Sequence, residues 1–230
     1  MIAPAIPPTA ADPPRHLPAL LSFIGGYVDT AGFLALHGLF TAHVTGNFVT
    51  LGATLAHGTS GAVAKLLALP VFCAIVVLVR LLAYRLPVWG LPVLQTLLAG
   101  KFLLLCAGAF LAIRLGPFDE GDSWSGVMTA VVLVSAMAIQ NAVQRIHLGS
   151  APPTTLMTGT TTQLMIDLAD LMHGETGPSG DTARARMKRM ALSVGVFAAG
   201  CLVAATLYIF CGMWCFALPP LLALGALLLR

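Results

Sequence analysis

The sequence predicts an all-α integral membrane protein with about six transmembrane helices and two short re-entrant or broken helices. Apolar residues make up 58% of the 230-residue chain and charged residues only 9%, whereas a soluble domain carries roughly 25% charged residues. Apolar runs of about 20 residues, the length that crosses a bilayer core, recur along most of the chain. Glycine (23) and proline (15) are frequent, as is usual in transmembrane helices.

The chain begins with a proline-rich head. Residues 1–16, MIAPAIPPTAADPPRH, contain five prolines and no early positive charge. This composition does not match a cleaved signal peptide. We therefore expect a disordered cytoplasmic head, followed by a single membrane domain over residues 17–229.

Six apolar segments are long enough to cross the membrane: 17–36, 62–86, 91–113, 124–143, 190–210 and 213–229. The three tryptophans, Trp89, Trp124 and Trp214, lie at segment edges, which suits side chains that favour the headgroup level. The last segment is short and is interrupted by Pro219 and Pro220.

Two further stretches, 44–56 and 154–171, have a different character. The first would form a helix of about 20 Å, which is shorter than the roughly 30 Å core, and the second is longer but polar. If both re-enter and the N-terminus is cytoplasmic, nine of the twelve basic residues lie inside; if both span, eight do. The positive-inside rule favours re-entrance and leaves spanning as the alternative.

The two halves of the chain resemble each other. With one gap, Asp29 aligns with Asn141, and Thr45-Gly46-Asn47 aligns with Thr158-Gly159-Thr160. The repeats would cover residues from about 17 to 115 and from about 124 to 229. Because each repeat would cross the membrane three times, an odd number, the second repeat is expected to be inverted relative to the first.

Broken segments at matching positions in two repeats are the usual indication of a transport site. A half-helix begins with unpaired N–H groups and the positive end of its dipole, which can bind an anion or a polar solute. The predicted substrate-binding residues are Asp29, His43, Thr45, Gly46, Asn47, Lys101, Gln140, Asn141, Thr158, Gly159, Thr160 and Gln163. The alternative for the threonine–glycine motifs is helix capping and close packing.

Ionisable residues inside apolar segments leave several roles open. Asp29 could face a cavity or a proton path, or could lock the halves together. Lys101 could pair with Asp29, bind an anionic solute, or extend to the interface. Asp167 and Asp170 are expected to be solvated near the basic residues 184–189.

Other classes of function find no support in the sequence. The net charge of +3 is too small to indicate nucleic-acid binding. There is no metal-binding spacing and no HExxH, GxSxG or GxxxxGK[ST] motif. We therefore expect no enzyme activity, no cofactor and no bound metal.

The segments GGYVDTAGFLAL, GLFTAHVTGNFVTLG, AMAIQNAVQ and TTLMTGTTTQL resemble the YoaK-like family of bacterial membrane proteins, which carries domain of unknown function 1275. The resemblance covers residues 17–229. It implies a multi-pass protein of the bacterial inner membrane with about six helices. It implies no substrate.

These observations predict a small secondary transporter or channel-like permease for a small anion or polar solute, with a central site between the repeats. The alternative is a non-transporting membrane subunit that binds a partner or captures substrate. The expected partners are the lipid bilayer and the solute, and a homo-oligomer is possible.

Overall fold

The computed structural model describes residues 16–174 and 176–229, and the described residues form helices and no strand, which confirms the all-α class for this part of the chain. This part of the chain contains eight α-helices: α1 (Leu17–Ala35), α2 (Asn47–His57), α3 (Ala62–Arg85), α4 (Val93–Leu115), α5 (Trp124–His147), α6 (Met157–His173), α7 (Gly177–Cys211) and α8 (Leu218–Leu228). Short 3-10 helices cover Val44–Gly46, Leu86–Trp89 and Gly212–Ala217. Apart from His16, the predicted head lies outside the described residues.

Within residues 16–174 and 176–229, five stretches are long and apolar enough to cross a membrane: Leu17–Ala35, Ala62–Trp89, Val93–Leu115, Trp124–His147 and Gly177–Leu228. The last has 52 residues, which would measure about 78 Å as one helix. It contains both α7 and α8, and Gly212 between them has φ 54° and ψ −133°, outside the helical region. The helices support a multi-pass membrane protein.

The last two helices differ from the sequence interpretation. Helix α7 begins at Gly177, well before the predicted segment 190–210, because the charged residues continue the helix beyond its apolar part. Pro219 and Pro220 open α8 and do not interrupt it. Proline fits the first turn of a helix because the N–H groups there have no partner within the helix.

Helices α1 and α7 pack closely and run in the same direction. The hydroxyls of Ser22 and Ser193 are 3.0 Å apart, and one turn further along, Gly26 contacts the backbone of Phe197. A Cβ atom at Gly26 or at Gly200 would collide with a carbonyl oxygen of the other helix. Glycine therefore allows this pair of helices to approach at backbone distance.

Helix α5 packs against both α3 and α4. Asp122, just before α5, accepts hydrogen bonds from the N–H groups of Gly61 (3.0 Å) and Val63 (2.8 Å) at the start of α3. Helices α3 and α5 therefore begin at one end of the bundle, which we call the Asp122 end. The ring of His37, which follows α1, is bonded to the carbonyl oxygen of Phe118, so α1 ends there and runs opposite to α5.

The opposite end of the bundle contains the starts of α1 and α7. We call it the Arg186 end, because Arg186 lies in the first part of α7. Helix α5 also ends here, since it runs opposite to α1.

Candidate functional site

The first polar break, residues 36–46, is folded back against α1 by the carboxylate of Asp29. Its Oδ1 accepts hydrogen bonds from the N–H groups of Thr41 and Ala42, both at 2.7 Å, and from the Thr41 hydroxyl at 3.3 Å. Its Oδ2 lies 2.6 Å from Nδ1 of His43. Asp29 is only 5% exposed. Its carboxylate is thus engaged within the protein and holds the break in place.

Asn47 fixes the other side of the same break. Its Oδ1 accepts a hydrogen bond from the N–H of Phe40, and its Nδ2 donates to the carbonyl oxygen of Phe40, both at 2.8 Å. Gly46 lies against the Phe40 ring, where a Cβ would come within 3.1 Å of a ring carbon. These contacts set the start of α2 inside the bundle.

The second polar break, residues 148–156, is held by neutral groups. The hydroxyl of Thr155 donates to Oδ1 of Asn141 at 2.7 Å. Nδ2 of Asn141 donates to the carbonyl oxygen of Met137 at 3.0 Å. Asn141 therefore holds the second break in the way that Asp29 holds the first, but its side chain is uncharged.

Gln140 joins the second break to α1 and α4. Its buried Nε2 donates to the carbonyl oxygen of Leu21 (2.8 Å) and to the hydroxyl of Thr154 (3.1 Å). Its Oε1 accepts a hydrogen bond from Nζ of Lys101. Lys101 is 1% exposed, so it neither reaches the interface nor pairs with Asp29, two of the roles that the sequence left open.

The first turn of each short helix is buried on one side and exposed on the other. Thr45, Thr158 and Gly159 are exposed, whereas Thr160 is buried. No side chain caps the start of α2 or of α6. The first N–H groups of α6 follow the extended residue Leu156 and have no partner within the helix, as at helix starts that bind anions. Helix α2 instead continues from the 3-10 helix before it, in which the N–H of Asn47 is bonded to the carbonyl oxygens of Val44 and Thr45.

Asp167 contacts one of the basic residues 184–189, as expected, but the expectation that it is also solvated is wrong. Asp167 is fully buried, and Arg186 binds both of its oxygens, at 2.6 and 2.8 Å. Gln163 also donates to Oδ1, at 2.8 Å. The hydrogen bonds from Arg186 hold the pKa of Asp167 below its usual range. Gln163 therefore supports an ion pair, while Asp170 is exposed as expected.

A second buried basic residue was missed in the sequence. Nζ of Lys65, at the start of α3, donates to the hydroxyl of Thr54 on α2 at 2.6 Å. Thr54 and Asp167 are each the eighth residue after a threonine–glycine pair. If the alignment of the two halves is extended along the whole of α2 and α6, it pairs Thr54 with Asp167. That pairing would have indicated that both residues face the interior.

The predicted site residues form two clusters and do not line one cavity. In the second cluster, Gln140 on α5 contacts α1 at Leu21 and the second break contacts it at Gly25, whereas the first break contacts α1 at Asp29 and Gly32. The span from Leu21 to Asp29 is about 12 Å along a helix. A cleft of about 120 Å³ adjoins the second break and is lined by Asn141, Gln144, Arg145, Gly149, Ala151, Pro153, Thr155 and Leu156.

The arrangement defines a class of protein: a helical bundle with several membrane-length helices and two buried polar breaks, each followed by a short helix. Among residues 16–174 and 176–229, no three His, Cys, Asp or Glu residues come together as metal ligands. The breaks contain hydrogen-bonding groups suited to binding.

The chain belongs to the family described as "Protein of unknown function (DUF1275)", whose model matches residues 17–229. This confirms the family predicted from the sequence motifs. No curated protein and no solved structure matches the chain.

Proposed function

We propose that the protein is a small secondary transporter or channel-like permease of the bacterial inner membrane, which carries a small anion or polar solute between two inverted repeats. The observation that carries the proposal is the placement of α2 and α6. Each begins inside the bundle directly after a polar break, and the two run toward opposite ends. Such paired broken segments are characteristic of transporters built from inverted repeats.

The burial pattern of the short helices supports the repeat. The buried residues of α2 are Asn47 and Thr54, and those of α6 are Thr160 and Asp167. In each helix these are the first and the eighth residues after the threonine–glycine pair. The same face of each short helix is therefore turned inward. Of the two buried positions, only the first (Asn47 and Thr160) belongs to the aligned sequence motif.

The packing of the long helices follows the same correspondence. Helix α1 packs against α7 and α5 against α3, so the first helix of each half contacts the third helix of the other. Likewise α2 packs against α3 and α6 against α7. Because α1 and α5 run in opposite directions, the matching of these pairs favours inversion.

The directions of the short helices are given by their connections. The residues that join α2 to α3 lie at the Asp122 end, since the Ser60 hydroxyl accepts a hydrogen bond from the N–H of Gly121. Helix α6 leads into the start of α7 at the Arg186 end. The positive ends of both helix dipoles are thus inside the bundle and could attract an anion from either side.

Charge supports a cytoplasmic Arg186 end. Four basic residues, Arg184, Arg186, Lys188 and Arg189, lie on the first part of α7, and the positive-inside rule places such clusters in the cytoplasm. Helix α1 starts at the same end, which gives a cytoplasmic N-terminus. With α7 and α8 as separate crossings, the bundle would have six.

Both breaks are closed to a solute in the described conformation. The side chains of Asp29, Asn47 and Asn141 are hydrogen-bonded to the backbone or to neighbouring side chains. Transport therefore requires a second conformation in which at least one break opens to a solute. This requirement separates a permease from a subunit that only binds a partner.

The topology is tested by labelling single cysteines in a variant without native cysteines. Thr59 and Asp119 are exposed at the Asp122 end, and Ser150 and His173 are exposed at the Arg186 end. In intact cells, an impermeant maleimide should label cysteines at the first two positions only. Labelling of His173→Cys from outside would contradict the inverted arrangement.

Transport is tested by the swelling of proteoliposomes in iso-osmotic formate, nitrate, urea or glycerol. Swelling faster than in protein-free liposomes is expected for at least one solute, and Thr45→Val or Thr158→Val should slow it. Thr206→Val is the matched control, because Thr206 is exposed on α7 and bonds only to Leu202 in its own helix. No solute-dependent swelling, or equal loss in the control, would overturn the proposal.

A further inference from the structure

The hydrogen bonds of Asp29 leave one nitrogen of His43 free. Oδ1 of Asp29 accepts three hydrogen bonds, and with Asp29 as a carboxylate the 2.6 Å contact to Oδ2 places a proton on Nδ1 of His43. In the neutral ring, Nε2 is then an acceptor. Within the described part of the chain Nε2 has no hydrogen-bond partner, and it is not among the enclosed unpaired atoms. The His43 side chain is 29% exposed.

We propose that Nε2 of His43 binds the proton that drives transport, and that Asp29 is the positioning carboxylate that orients the ring. This inference rests on the proposed transport function. A proton taken from water adds to Nε2 while Nδ1 keeps its proton and its hydrogen bond to Asp29. The imidazolium and the carboxylate then form an ion pair, and the proton leaves from the same nitrogen.

The surroundings of His43 suit a cation. The ring centroids of Phe40 and Phe197 both lie 6.0 Å from that of His43, in edge-on arrangements. These rings pack around the imidazole and leave Asp29 as the charged group in contact with it. Asp29 supplies the counter-charge that a proton needs inside an apolar bundle.

Few other ionisable groups face this pair. On α7, the thiol of Cys201 donates to the carbonyl oxygen of Gly26, one turn before Asp29. On α3, which packs against the turn that follows His43, Lys65 is bound to Thr54.

The second break, residues 148–156, has no equivalent proton site. Asn141 stands at the position of Asp29, and its partner Thr155 is a hydroxyl. An amide and a hydroxyl do not bind a proton in the physiological range. The two breaks therefore differ in chemistry although they match in position, and the imidazole–carboxylate pair belongs to the first break.

Direct titration tests the proposal without any transport substrate. The protein is labelled with ¹⁵N-histidine and placed in lipid nanodiscs, and the His43 signals are assigned by their loss in His43→Gln. Between about pH 8 and about pH 5, where imidazoles titrate, Nε2 should pass from an acceptor to a protonated signal while Nδ1 remains protonated. A His43 ring that stays neutral across this range would overturn the proposal.

A second measurement links the proton to the break. Thr45 and Thr158 occupy matching exposed positions at the starts of α2 and α6. The ratio of maleimide labelling rates of Thr45→Cys and Thr158→Cys is measured against pH with His43 present and in His43→Gln, because each thiol has a pH dependence of its own. We expect the ratio with His43 present to change across the titration by at least about fivefold more than the ratio in His43→Gln, the lower end of typical coupling between linked sites.

The outcomes separate this inference from the proposed function. If His43 titrates and the labelling ratio follows it, the proton site stands even when no solute causes swelling. If solutes cause swelling but the ratio changes with pH equally with His43 present and in His43→Gln, the permease stands and the proton inference fails.

Discussion

Replacement of Asp29 by alanine should unfold the first break before the rest of the bundle. The substitution removes the acceptor for two buried N–H groups, those of Thr41 and Ala42. Each buried donor left without a partner costs about 1–3 kcal/mol, so the loss for the pair is roughly 2–6 kcal/mol. The Thr41 hydroxyl and the His43 ring also lose a partner.

The matched variant is Asp29→Asn, which keeps the amide oxygen as an acceptor for Thr41 and Ala42. It loses the charge opposite His43, whose neutral ring can change tautomer and accept a hydrogen bond from the new amide. We expect it to retain more than half of the stability that alanine removes. The two variants thus separate the role of the acceptor from the role of the charge.

Unfolding free energies in mixed micelles measure the global effect, and hydrogen exchange of the residue 36–46 amides measures the local one. The alanine variant should exchange fastest at Thr41 and Ala42. An alanine variant that is as stable as the wild type, with unchanged exchange in the break, would refute the view that Asp29 holds this segment. Equal losses in the alanine and asparagine variants would assign the stability to the charge instead.

Two other substitutions probe contacts outside the breaks. Gly200→Ala should destabilise the protein by about 1–3 kcal/mol, a typical cost of overpacking, because its Cβ would strike the backbone of α1. The control is Gly195→Ala, because Gly195 has open space around it. Equal shifts of the melting temperature in the two variants would contradict this packing. Partial burial acts to raise the pKa of Asp122, but the N–H groups of Val63 and Gly61 outweigh it and hold that pKa below its usual range. Its stabilising effect is therefore present at neutral pH and is lost as the pH falls through the lowered pKa. Asp122→Asn should lower the melting temperature at pH 7 and match the wild type well below pH 4, and a constant difference at all pH values would argue against it.

The helices could be predicted from the sequence because length and hydropathy determine them. Predicted segments 17–36 and 62–86 agree with α1 and α3 to within one residue at each end. The predicted short stretch 44–56 agrees with α2 and the 3-10 helix before it. The extension of α7 could not be predicted in the same way, because hydropathy marks where an apolar stretch ends, and a helix can continue into water beyond that point.

The partners of the polar residues could not be predicted from the sequence. Asp29 and Lys101 were candidates for one another because both lie inside apolar segments, and an ion pair would reduce the cost of burying them. The choice of Gln140 for Lys101 depends on which faces of α4 and α5 meet. The alignment of Asp29 with Asn141 did identify the two residues that hold the breaks, because the threonine–glycine motifs fix the register between the halves.

The exchange of partners between the halves has a consequence for biosynthesis. At about 5–20 residues per second, synthesis of residues 36–211 takes roughly 10–35 s. For that time the face of α1 that contains Gly26 has no α7 to pack against. Helices α3 and α4 are made in this interval, but neither is the principal neighbour of α1 in the folded protein. A gene split between α4 and α5 should therefore yield a stable protein only when both fragments are made together.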